Sequence, residues 1–264
     1  MAEIPELCAL SATAQHALIE SRSVSARELT EAHLDWISVV NPQVNAICTL
    51  VPEMALEQAD AVDAAISRGE QPGLLAGLPA AIKDLVNTKG ILTTHGSPLF
   101  ASNVPAQDAL HVARMKSAGA VILGKTNTPE WGAGSQTFNP LFGATATPYD
   151  SSRTSGGSSG GAAAALAARM LPVADGSDLG GSLRNPAAFC NVVGFRPSYG
   201  RVPAPERVSG WNGMSVLGPM GRTVGDVARL LAVMAGADPA DPLSRSEDPA
   251  MFAGDLGADL QGRR

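Results

Sequence analysis

Between Thr154 and Ser182 the chain reads TSGGSSGG, then an alanine-rich run, then DGSDLGGS, so two serine-bearing glycine turns flank one short stretch of small residues. Such a stretch folds as a tightly packed helix, and the arrangement predicts that Ser158 and Ser182 meet at one site. A serine hydroxyl is a poor nucleophile by itself. It becomes useful where the fold supplies a base and a set of N–H groups that stabilise an anion.

Histidine is badly placed to be that base. His16, His33, His95 and His111 all precede the serine turns. The first two and His111 lie in polar helical patterns that predict solvent exposure. No Ser/His/Asp motif frames His95. Lys83 is better placed. It ends GLPAAIKD, where Leu78, Ala80, Ala81 and Ile82 read as a short buried strand opened by Pro79. Ligand sites of open α/β sheets collect at strand carboxyl ends. A free lysine ionises near ~10.4, and burial can lower that by up to ~3 to 5 units, enough to make the neutral amine a general base. The competing reading is a simple ion pair between Lys83 and Asp84.

GLPAAIKD, GKTNTPEWGAGSQTFNPLFGAT, SGGSSGGAAAALAA, DGSDLGGSLRNPAAFCNVVGFRPSYGRVP and GPMGRTVGD follow one another over residues 77 to 235. In this order they resemble the amidase signature family of serine amidohydrolases. The resemblance implies an α/β fold, a mixed β-sheet flanked by helices, and a catalytic triad of Lys83, Ser158 and Ser182. Ser182 is then the nucleophile, and Ser158 the bridging serine on a cis peptide that the bare Gly157 accommodates. It further implies that Lys83 draws the proton of Ser158 as Ser158 draws that of Ser182, leading to an acyl-enzyme. No cofactor is expected.

The DLGGS turn can aim the N–H groups of Leu179, Gly180, Gly181 and Ser182 into one concavity, an oxyanion hole made from backbone. Asp178 either orients this loop or caps the following helix. Arg184 and Asn185 are supporting candidates. Trp131, with Gly132, Ala133 and Gly134, is a candidate lining for the substrate pocket, although packing explains an aromatic beside a glycine turn equally well.

Other chemistries find little support. SGGSSGG lacks the lysine and hydroxyl that complete a phosphate-binding loop, and no GxGxxG follows a strand. Cys8, Cys48 and Cys190 are too scattered for zinc or a disulfide framework, and no acidic cluster suggests a metal. A net charge of −6 leaves no basic footprint for nucleic acid or an anionic membrane. With no apolar run of ~18 residues and no signal-peptide pattern, a cytoplasmic location is expected.

The patterns divide the chain into a helical amino-terminal region (1–75), a signature core (76–236) and an irregular tail (237–264). Ser25 and Glu28 form a capping box for a helix of residues 26–40 that Asn41 and Pro42 stop, and Pro52 opens another running to residue 69. Asp108 should cap a helix ending near Ala118, and another helix should span 224–235. AICTLV, LPAAIK, AVILGK, LPVADG and VVGF read as strands. Because family members usually continue further, the short chain is expected to leave the sheet incomplete. Three readings stay open: hydrolysis of a small-molecule carboxylic amide to acid plus ammonia or amine, with esterase or urethanase side activity; the glutaminase-like subunit of a tRNA-dependent amidotransferase; and an inactive truncated fragment with a binding or assembly role. A homodimer or a complementing chain is the partner these readings imply.

Overall fold

The computed structural model describes residues 3–71, 73–259 and 261–262. Its centre is a six-stranded mixed sheet of β1 (Ile47–Leu50), β2 (Pro79–Lys83), β3 (Val121–Thr126), β4 (Val173–Asp178), β5 (Val193–Gly194) and β6 (Val216–Gly221), in the order β1-β3-β2-β4-β6-β5. The inner strands β3, β2 and β4 run parallel, and the others attach antiparallel. All of β2 is buried, as a central parallel strand covered on both faces requires.

Helices α1 (Ala12–Glu20), α2 (Ala26–Val44), α3 (Pro52–Ser67), α4 (Leu110–Ser117), α5 (Gly160–Ala167), α6 (Arg184–Phe189) and α7 (Val224–Met234) pack around the sheet. The Ser25/Glu28 capping box is present, and a second one joins Thr223 to Asp226 at the start of α7. Helix α2 runs four residues past the expected stop. Pro42 sits inside it, and the turn ends at Asn45, a left-handed residue whose side chain bonds the Phe142 and Ala144 carbonyls. Asp108 does not cap α4. Its carboxylate instead takes the Lys89 N–H and the Lys116 ammonium.

The expected exposure of three histidines is wrong. His33 is fully buried, with Nδ1 2.9 Å from the Met170 carbonyl, and burial lowers its ionisation to about 4. His16 lies 2.9 Å from the Gly73 carbonyl, and His111 faces Asp175. Each ring finds a polar partner on a distant segment, which a helical periodicity cannot reveal. Strand β6 also differs from expectation, because VLGPMG contains a proline and two glycines and does not read as a strand.

Helix α5 explains the run of small residues. Seven of its eight residues are buried, and a Cβ on Gly161 would fall 2.3 Å from the Asn127 nitrogen and 2.6 Å from the Ala46 carbonyl oxygen. Neither backbone atom can yield cheaply. Gly161→Ala should therefore cost about 1 to 3 kcal/mol through overpacking, seen as a lower thermal midpoint, whereas a melt matching the wild type would contradict this packing.

Candidate active site

Lys83 stands at the carboxyl end of β2 with its side chain wholly buried. Nζ donates to Ser158 Oγ at 2.7 Å, Ser159 Oγ at 2.9 Å and Ser177 Oγ at 3.0 Å. Among the described residues no carboxylate touches the amine. Asp84, the alternative partner, points elsewhere and accepts from the Thr94 hydroxyl and the Thr94 and Gly96 N–H groups. Burial without an ion pair pushes the Lys83 ammonium down to about 7, against the weaker pull of Asp175 and Asp178.

Ser158 follows a cis peptide bond from Gly157 and is almost fully buried. A Cβ on Gly157 would approach the Gln136 nitrogen to 2.8 Å, so the neighbouring loop demands glycine there. The second serine turn follows β4, the strand beside β2. The Ser159 N–H donates to the Ser182 carbonyl at 3.1 Å, which brings the two turns together. Among the described residues no hydrogen bond joins Ser182 Oγ to Ser158. Lysine and bridging serine are thus in contact, whereas the expected link to Ser182 is open.

Asp178 lies fully buried beneath the second turn. It accepts from the Gly181 N–H at 2.8 Å, the Leu183 N–H at 3.1 Å, Arg184 Nε at 3.0 Å and Arg196 Nη1 at 2.7 Å. Burial alone would raise its carboxyl, but the hydrogen bonds from Arg184, Gly181, Leu183 and Arg196 outweigh that and hold it well below the usual range. The Leu183 side chain gives helix α6 no cap, and Asp178 Oδ2 also accepts from the N–H of Arg184, the first residue of α6, at 3.4 Å, so the carboxylate holds both the loop and the helix start. Gly181, at φ 122°, gives its N–H to this carboxylate. The N–H groups of Leu179, Gly180 and Ser182 make no such bond among the described residues. The side chain of Asn185 crowds the position a Cβ on Gly181 would take, 2.7 Å away.

Trp131 lies half-exposed in a tight turn, stacked on His95 with centroids 5.2 Å apart and edge-on to Phe100. A Cβ on the next residue, Gly132, would sit 3.6 Å from Ser158 Oγ, so this turn abuts the bridging serine. Ala133 closes the turn through its N–H to the Glu130 carbonyl, and around Gly134 there is open space. A cavity of about 630 Å³ lined by Leu85, His95, Ser177, Val208 and Leu217 reaches the lysine through Ser177.

Sequence reasoning passed over Ser159, Ser177, Asp175 and Arg196. A period-two reading of β4 places Asp175 and Ser177 on the same face and could have found both. Arg196, by contrast, carried no chemical signal in GFRPSYG. Among the described residues no group of three or more metal-ligating side chains occurs, and no helix is long and apolar enough to cross a membrane.

A family model described as Amidase matches residues 28–260. A glutamyl-tRNA(Gln) amidotransferase subunit from Carboxydothermus hydrogenoformans is 44% identical over 97% of the chain and 53% of its own length. The like-named protein from Acidothermus cellulolyticus is 45% identical over 94% of the chain and 49% of its own. Among solved structures, a bacterial aryl acylamidase of the amidase signature family superposes with a TM-score of 0.87 at 36% identity, covering 90% of this chain and 50% of that one. The peptide amidase of Stenotrophomonas maltophilia gives 0.83 at 33% identity, covering 90% and 50%. The chain therefore spans about half the length of these relatives. With the family model covering most of its residues and this mixed sheet shared with the solved enzymes, the chain belongs to the Amidase family.

Proposed function

We propose that this chain carries the acyl-transfer centre of an amide hydrolase, with Ser182 as nucleophile, Ser158 as bridge and Lys83 as general base. The observation that supports it best is the buried Lys83 amine, held by hydroxyls alone and 2.7 Å from Ser158 Oγ. In the reaction the Ser158 O–H bond breaks as an Nζ–H bond forms, Ser158 takes the proton of Ser182, and Ser182 Oγ bonds to the amide carbonyl carbon. The same protons return to the departing amine, and a water then repeats the sequence to free the acid. The Ser158–Ser182 contact has to close when substrate binds, as catalytic contacts in unliganded sites commonly do. The unengaged N–H groups of Leu179, Gly180 and Ser182 are the candidate oxyanion donors. One such donor is worth about 2.7 to 4 kcal/mol in the transition state.

A fluorophosphonate should label the purified chain at Ser182 and leave Ser182→Ala unlabelled, read by peptide mass spectrometry. A folded wild-type chain that resists labelling would favour the binding or assembly reading instead. The relatives named as amidotransferase subunits, at 44% and 45% identity, favour a second reading, an ammonia-releasing glutaminase component. Glutamine hydrolysis that appears only with co-purified partner subunits would select it, and turnover of simple amides by the lone chain would reject it.

A further inference from the structure

Asp175 is a fully buried carboxylate on β4, on the same face as Ser177. Its Oδ1 accepts the main-chain N–H of Lys83 at 2.7 Å, and its Oδ2 lies 3.0 Å from Nε2 of the equally buried His111. Because an ionised carboxylate only accepts, Nε2 carries the hydrogen. The other ring nitrogen, Nδ1, is buried without a partner among the described residues, so Asp175 is the group this imidazole serves. An orphaned buried polar atom is costly, and its retention calls for a reason.

The reason lies in what Lys83 has to do. A base that takes a proton inside a dry site becomes a buried ammonium, which needs negative charge nearby. A contacting carboxylate would instead keep the amine permanently protonated and useless as a base. Two carboxylates act on Lys83, Asp175 more strongly than Asp178, and neither touches Nζ. Asp178 is already matched by Arg184 and Arg196. Of the other groups packed here, Asp84 is engaged by Thr94, and Lys125 of β3, itself held by Val86, Thr88 and Thr93, also feels Asp175.

We propose that Asp175, gripped by His111, is the positioning residue of this site: it fixes the main chain of Lys83 and supplies a non-contacting negative charge that lets the amine gain and lose a proton in each cycle. The assignment rests on Lys83 acting as the base. It goes further in naming what tunes that base.

The test is a titration of Lys83 followed by the ¹³Cε signal of labelled lysine, assigned by its disappearance in Lys83→Met, so that the readout needs no turnover. Asp175→Asn keeps an acceptor for the Lys83 N–H and, after a tautomer change, a partner for His111. It removes only charge. The Lys83 midpoint should fall by about one pH unit, with the pH curve of Ser182 labelling moving alongside. His111→Gln retains both the carboxylate and a donor to it, so its midpoint should match the wild type. An unmoved midpoint in folded Asp175→Asn overturns the proposal, as does a shift of equal size in His111→Gln. A midpoint that moves as expected in a chain that never labels at Ser182 sinks the hydrolase reading and leaves the tuning by Asp175 standing.

Discussion

Lys83→Met lowers the rate of Ser182 acylation by about 10²- to 10⁴-fold, the usual worth of a positioned base, without unfolding the protein. Activity and stability separate here because burying this lysine costs free energy. Its ionisation lies near 7 when folded and near 10.5 when not. Between those values the unfolded chain holds more protons, so wild-type stability rises with pH through this window, and below it the fold must bury an ammonium. Methionine fills similar space and abolishes that pH dependence. The loss of three hydrogen bonds to Ser158, Ser159 and Ser177 offsets part of the gain. Urea melts at pH 6 and pH 9, beside acylation rates, check both halves. A variant that keeps its acylation rate would exclude Lys83 as the base.

Asp178→Ala should be the most damaging single change to the second serine turn, costing about 1 to 3 kcal/mol, as expected when buried N–H groups lose their acceptor. It strips Arg184 and Arg196 of their shared acceptor and frees the Gly181 and Leu183 N–H groups that hold the loop. Because the folded carboxyl ionises below its ordinary range, its contribution is complete above the unfolded carboxylate value and is lost as the pH falls below it. Wild-type stability should accordingly decline on acidification more steeply than that of Asp178→Ala. Parallel acid titrations of the two would argue that the carboxylate is not tied down.

Much of the architecture is readable in the sequence because local chemistry and global fold agree. β2 and β3 are short, branched or small, and bounded by turns, and Ser25 with Glu28 marks its helix start by a capping box. β6 hides behind Pro219 and its glycines, since the ladder positions that tolerate them depend on neighbours that the sequence does not announce. The same holds for His33 and His111, whose partners Met170 and Asp175 lie far along the chain. At the site, strand-end position and the absence of a suitable histidine point to Lys83. The sequence cannot tell that three serines share its amine, that Gly181 gives its N–H to Asp178, or that the link from Ser182 Oγ to Ser158 is open, because each depends on rotamers and loop geometry fixed by tertiary packing.

The most direct test is the rate of Ser182 labelling by a fluorophosphonate as a function of pH from 5 to 10. Because the neutral form of Lys83 is the reactive one, the rate should rise with pH through a midpoint near 7 and then level off, and this inflection should vanish in Lys83→Met. A rate independent of pH, or an inflection near 7 that survives in Lys83→Met, would contradict the account.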